Sequence, residues 1–333
     1  MKKSLLALAV LGALSGVASA QSSVTLFGIV DLNARYVKND GQAKRYSLSQ
    51  DGINSSRFGV RGVEDLGGGL KAGFHLEGGV NADTGTASAT KFWGRKAVAS
   101  LSGNFGEVRL GRDYTPSFIN NSAFDAFGTN GLGSSEFLAG QLLPPDAVRA
   151  DNSIGYFLPS GIGGVYGQAM VAAGEGTAAG RYVGGRIGFA AGPFDVAVSY
   201  AEETVAAGKF KSANIGGSYD LGVVKLLGYF NQEKLTTAKD NRFALSAVVP
   251  FGQSEIHVGG EQSKFTNTGV SNKINHFSAA YVYNLSKRTA MYATVSQLKN
   301  GSASKNVLDA GGTGAMIAGG KSKGFDVGLR HIF

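Results

Sequence analysis

Lys71, His75 and Glu77 stand at even spacings, so on an extended strand all three side chains share one face. Such a trio takes up and releases protons, but it contains no nucleophile, and the chain has no Gly-x-Ser-x-Gly turn to present one. The four histidines, His75, His257, His276 and His331, lie far apart in sequence with no metal-ligand spacing. With no cysteine, the chain offers neither thiolate ligands nor disulfides. Gly320-Lys321-Ser322 has the ending of a phosphate-cradling loop, yet Ala315 stands where its first glycine belongs and no strand-turn-helix follows, so it reads as a polar loop. No catalytic, metal or cofactor site is expected, and the protein is not expected to be an enzyme. What remains is fixed charge, 32 Lys and Arg against 24 Asp and Glu.

Fixed charge acts where the fold puts it. Lys2 and Lys3 precede an apolar run, Leu5 to Leu14, and Val17-Ala18-Ser19-Ala20 supplies small residues at the cleavage positions of a secretory signal peptide. The run is too short for a membrane anchor, which needs about 18 to 20 apolar residues. Residues 1–20 are expected to be removed, leaving 21–333 and, without Lys2 and Lys3, a net charge lowered from +8 to +6. Export sets nucleic acid aside as a partner and leaves acidic headgroups and anionic solutes. No later segment has 18 consecutive apolar residues. A membrane role therefore requires a closed β-barrel, the one other fold that satisfies every backbone N–H and C=O in hydrocarbon.

The strand pattern fits that fold. Val24, Leu26, Gly28, Val30, Leu32, Ala34 and Tyr36 form an apolar face, against Thr25, Phe27, Ile29, Asp31, Asn33 and Arg35. Leu70, Ala72, Phe74 and Leu76 alternate in the same way with Lys71, Gly73, His75 and Glu77, and Phe194, Val196, Val198 and Tyr200 make another stripe. The chain ends inside such a strand: Phe325, Val327, Leu329, His331 and Phe333 face one way, and Asp326, Gly328 and Arg330 the other. A terminal strand can sit there if it pairs with the first and removes both edges.

Seven short turn signals punctuate the chain: Glu64 to Gly68, Ser102 to Gly106, Pro159 to Gly163, Ala191 to Pro193, Asp220 to Gly222, Pro250 to Gly252 and Asn284 to Lys287. Seven hairpins join fourteen strands, and a first and last strand that close on each other make sixteen, an even number that suits an outer-membrane barrel. The intervening connections are expected to be longer and polar, as in Thr84 to Lys91 and Lys299 to Lys323. One, from about residue 115 to 150, is oversized and contains Ser134-Ser135-Glu136-Phe137-Leu138-Ala139-Gly140. Tyr36, Tyr281, Tyr283 and Tyr292 near strand ends suit interfacial aromatic girdles. A secreted β-sandwich or adhesin also alternates and turns, but it does not explain the regular hairpin period or the terminal Phe333.

Several stretches resemble Gram-negative general diffusion porins of the beta-proteobacterial kind. They are Ser22 with Val24 to Asp31, Ser56 to Gly62, Glu64 to Ala72, Asn104 to Arg112, and Asn284 to Thr289. The resemblance runs over the whole expected mature chain and is close to the anion-selective members. It implies a sixteen-stranded transmembrane antiparallel barrel in the cell outer membrane, a homotrimer, passive diffusion of small hydrophilic solutes and a third loop folded into the lumen. It also implies a basic cluster at the constriction, here Arg57, Arg95 and Arg149. Family loops commonly carry Pro-Glu-Phe, whereas here Ser135 precedes Glu136-Phe137.

Parity adds its own reading of the charges. Arg57 shares a face with Gly59 and Arg61, opposite Phe58 and Val60, and should point into the lumen, because an Arg facing lipid at mid-bilayer costs roughly 2 to 4 kcal/mol. Arg109 points inward by the same argument, with Val108 and Leu110 toward lipid. Arg95 and Lys96 are adjacent, and parity does not choose between them. Guanidinium groups beside a narrow aqueous passage raise the local concentration of small anions, while weak binding lets them leave. Alternatively each arginine pairs with Asp125, Glu136, Asp146 or Glu77 and braces the constriction. Two other functions compete: a barrel enzyme, for which no motif exists, and a structural or adhesive barrel plugged by its loops. Lys and Arg on the loops are suited to lipopolysaccharide contact.

Overall fold

The computed structural model describes residues 23–88, 90–135, 142, 147–177, 179–309 and 313–333. The expected signal peptide, Glu136, Phe137 and Asp146 lie outside the described residues. The first strands are β1 (Ser23–Asn39), β2 (Arg45–Gln50), β3 (Arg57–Gly67), β4 (Leu70–Asn81), β5 (Thr86–Ala87) and β6 (Lys96–Gly103). Next come β7 (Gly106–Tyr114), β8 (Arg149–Phe157), β9 (Val165–Ala172), β10 (Arg181–Ala191), β11 (Phe194–Val205) and β12 (Gly208–Asp220). The series ends with β13 (Lys225–Leu235), β14 (Ala238–Phe251), β15 (Ser254–Asn267), β16 (Val270–Asn284), β17 (Thr289–Lys299) and β18 (Lys321–Ile332). Between β7 and β8 the described residues include a helix, α1 (Pro116–Ala123), and a 3-10 turn, Gly131–Gly133.

The strands make one closed antiparallel barrel. β1 pairs with β18 along one edge, from Ile29 opposite Ile332 to Asn39 opposite Ser322. Along its other edge β1 pairs first with β3, then with β2, so β2 and β3 are two halves of one stave interrupted at 51–56. β5 pairs over two residues within a connection. Sixteen staves result, as the sequence predicts.

Alternation sorts the two faces. On β18, Phe325, Val327 and Leu329 are exposed while Ser322, Gly324, Asp326 and Gly328 are buried. The same holds at Val24, Leu26 and Val30 against Asp31 and Asn33 on β1. An apolar face turned outward around the ring is the arrangement for lipid, and the enclosed face carries the polar residues. None of the described helices is long and apolar enough to cross a membrane.

All seven expected short turns lie at hairpins. The opposite end departs from expectation: β11–β12, β13–β14 and β15–β16 are joined by two residues each, Ala206-Ala207, Thr236-Thr237 and Thr268-Gly269. The strands themselves have lengthened instead, to 14 and 15 residues in β14, β15 and β16, where about 9 to 11 suffice to span the hydrocarbon. Tyr292 also departs. Tyr281 and Tyr283 are exposed as girdle residues should be, but Tyr292 is 3% exposed and turns inward, where its hydroxyl donates to Asp31.

The seam leaves no room for a side chain at Gly28. Phe333 N–H donates to Gly28 O at 3.0 Å, Gly28 N–H returns a bond to Phe333 O at 3.1 Å, and a Cβ on Gly28 would meet the Phe333 ring and Arg57 O. Gly28→Leu is expected to impair closure, lowering the yield of folded barrel at least severalfold on the scale of core overpacking, about 1 to 3 kcal/mol. The mobility difference between heated and unheated protein in SDS gels reads this; parental yield would contradict it.

Candidate functional site

The oversized connection is ordered by its own polar groups. Thr115 caps α1, accepting from Phe118 N–H at 3.3 Å and donating its hydroxyl to Ala147 O at 2.6 Å, and Pro116 opens the helix. Asn120 donates to Ala197 O on β11 at 3.2 Å and to Asn214 Oδ1 on β12 at 2.6 Å, both on the enclosed side. Beyond the helix, Asp125 accepts from Phe127 N–H (2.9 Å), Thr129 N–H (3.0 Å) and the Ser135 hydroxyl (3.0 Å). Burial pushes the Asp125 carboxyl above its ordinary value, opposed by those donors. Leu132 is fully buried among Val37, Ile274, Leu298 and Leu308, and its carbonyl accepts from His276 Nε2 of β16 at 3.0 Å.

The break between β2 and β3 has a single organising group. The Asp31 carboxylate accepts from the N–H groups of Gly52 (3.2 Å), Ile53 (2.9 Å) and Asn54 (2.8 Å) and from the Tyr292 hydroxyl. Those amides leave the ladder because they bond this buried acid. The connection docks on the break: the Ser55 hydroxyl donates to Asn130 Oδ1 at 2.7 Å, and Gly131 lies so close that a Cβ would collide with Gly52 O.

The arginine cluster assembles beside this junction. Arg95 Nε donates to Glu77 Oε1 at 2.6 Å, and Arg57 Nη1 approaches the same oxygen at 3.5 Å. The Tyr114 hydroxyl oxygen accepts from Arg95 Nη2 and from Arg149 Nη2, both at 2.8 Å. The Arg149 guanidinium also stacks over the Tyr114 ring, 4.3 Å from its centroid, while Phe118 of α1 stacks on that ring. Three arginines, from β3, from the residue before β6 and from β8, thus meet on one glutamate and one tyrosine. They line a cavity of about 670 Å³ together with Asp125, His257 and Asn130.

Other expected residues stand apart. Arg109 donates twice to Glu107, at 2.9 and 2.8 Å, and to Asp113 at 3.1 Å, and does not line that cavity. Arg61 lies over the Phe27 ring at 5.2 Å, also away from it. Asp125 folds the connection and makes no ion pair with the cluster. Of the alternative pairings, only Glu77 takes Arg57 and Arg95 among the described residues. Sequence reading missed Tyr114 as the shared acceptor, and strand parity left Arg95 against Lys96 open where the resemblance selected Arg95. β6 begins at Lys96, so Arg95 escapes strand parity, and Lys96 binds Asp113 at 2.7 Å. Among the described residues no group of His, Asp and Glu is arranged to hold a metal ion.

A sixteen-stave barrel with an apolar exterior and a charged inner cavity calls for comparison with known channels. The model of the Gram-negative porin family matches residues 7–303. The chain belongs to that family. It is 41% identical to outer membrane porin protein 32 of Delftia acidovorans, over the full length of both chains. Identity to an outer membrane porin of Bordetella pertussis is 32%, again over the full length of both. Among solved structures, the anion-selective porin from Comamonas acidovorans shares 38% identity and superposes with a TM-score of 0.82, covering 94% of this chain and 100% of that one. The protein is an outer-membrane porin, a passive channel rather than an enzyme.

The Gly131 contact makes this porin's loop position testable. Gly131→Ala places a Cβ against Gly52 O at a backbone φ of +60°, conditions that cost at least about 1 kcal/mol. Single channels of this variant are expected to show larger current fluctuations than the parent at the same voltage. Quiet, parental traces would mean that the contact does not hold the loop.

Proposed function

We propose that this porin favours small anions and that Arg57, Arg95 and Arg149 supply the preference at the narrowest part of the pore. The observation that carries the reading is their convergence. Of the three guanidinium groups, two share one carboxylate, Glu77, and the third, Arg149, bonds the neutral Tyr114 hydroxyl, so the cluster keeps a net positive charge beside the cavity. An arginine stays charged at any relevant pH, and low-dielectric walls focus its field into the aqueous passage. The anion-selective porin from Comamonas acidovorans, so similar over nearly the whole chain, supports the same reading.

In this reading the connection from about residue 115 to 150 folds into the lumen as the constriction. Support comes from α1 bonding to the inner face of β11 and β12 while Leu132 is anchored on β16. The open volume left beside the loop favours a conducting pore over a plugged or adhesive barrel. Removal of residues 1–20, assembly as a homotrimer and contact with lipopolysaccharide complete the proposal, as the family resemblance and the basic loops imply. Conduction needs no cofactor, because solutes move down their own gradients.

Arg57→Asp, Arg95→Asp and Arg149→Asp should each shift the chloride-to-potassium permeability ratio toward potassium by roughly threefold or more, with the barrel intact. That shift corresponds to about 0.7 kcal/mol, the order expected for charges in a wet passage. Reversal potentials in planar bilayers read the ratio. Three variants with the parental ratio would remove the cluster from the mechanism.

A further inference from the structure

Within the passage, the reach of an arginine's field depends on whether a carboxylate already balances it. Arg57 and Arg95 share Glu77, Arg109 lies between Glu107 and Asp113, and Arg35 is held by Asp326 at 2.9 Å. Among the described residues, two arginines lining the cavity have no carboxylate within ion-pair range. One is Arg149 of the cluster, and the other is Arg330 on β18.

Arg330 follows Leu329, whose exposed side chain belongs to the apolar outer face, so strand parity turns Arg330 inward. Its Nη1 donates to Asn54 Oδ1 at 3.0 Å, while its buried Nε has no acceptor. Asn54 is part of the break gathered around Asp31, so the same segment that receives the loop also holds this guanidinium at the cavity wall. Asp31 is the cross-strand neighbour of Arg330, but its oxygens are engaged by Gly52, Ile53, Asn54 and Tyr292. Arg57 flanks the other edge of β1, opposite Ile29. Arg330 therefore extends the row of cations two staves from Arg57, with β1 between them.

We propose that Arg330 is a further selectivity-determining residue of the pore, contributing to the anion pathway a positive charge that no ion pair holds. This rests on the pore reading above. A weakly bound anion passing Arg330 meets N–H donors that no protein group fully occupies, and it leaves again because one guanidinium gives no cage.

The test compares Arg330→Gln, Arg330→Lys, Arg149→Gln and Arg109→Gln by reversal potential in a KCl gradient, each first checked for the heat-dependent gel mobility of a folded barrel. Arg109→Gln removes the same charge from outside the cavity. Arg330→Gln is expected to lower the chloride-to-potassium ratio by about twofold or more, Arg330→Lys to keep most of the parental ratio, and Arg109→Gln to shift it less. A shift in Arg330→Gln no larger than in Arg109→Gln, or equal loss in Arg330→Lys and Arg330→Gln, would overturn the proposal. If Arg149→Gln shifts the ratio and Arg330→Gln does not, this inference alone fails. If neither does, the arginine account of the pore fails with it.

Discussion

Hydrocarbon offers a strand no hydrogen-bond partner, and this constraint shapes the whole molecule. Each stave must find partners on both edges, so the first and last strands must pair, and they do from Ile29 with Ile332 to Asn39 with Ser322. Backbone bonds between Gly28 and Phe333 continue the seam, and the Phe333 ring occupies the space a Gly28 side chain would need. Once the ring is closed, the period of two sends every second side chain to lipid and every other one inside. The enclosed face is then free to hold charge that lipid would reject at a cost of about 2 to 4 kcal/mol for each arginine.

That inner wall is a system of shared acceptors. Glu77 and Tyr114 gather three arginines from separate staves, and the Asp31 carboxylate gathers three amides and a tyrosine. The second arrangement sets the first. By pulling residues 52–54 out of the ladder, Asp31 creates the platform on which Ser55 and Gly52 receive the loop at Asn130 and Gly131. Asp125 folds the loop on itself and does not neutralise the arginines. Among the described residues, Glu77 is the one carboxylate that forms ion pairs with the cluster.

Much of this was legible in the sequence because a barrel writes its geometry at period two. Phe325, Val327 and Leu329 against Asp326 and Gly328 fixed the last strand's two faces, and the seven short turns set the stave count. Parity also placed Arg57 inward. It failed at residues that leave the ladder or serve a buried partner. Arg95 precedes its strand, so no face could be assigned to it. Tyr292 has the type and place of a girdle residue, yet Asp31 holds it inside. The stave break was invisible because Asp31 reads as one more polar lumen residue until its amide partners are seen. For α1 the local signal was present in Thr115-Pro116, a cap followed by proline at the first turn, and a reading tuned to strands passed over it. Arg149 came from family resemblance, since nothing local sets it apart from other basic residues.

The central claim, that an uncompensated arginine cluster makes this an anion-favouring pore, is met most directly by the unaltered protein. Its reversal potential in a planar bilayer under a KCl gradient reports which ion carries the current. The account predicts a potential on the chloride side of zero, weakening as salt rises and screens the guanidinium field. A potential on the potassium side at low salt would leave the porin fold standing and contradict the electrostatic account of its pore.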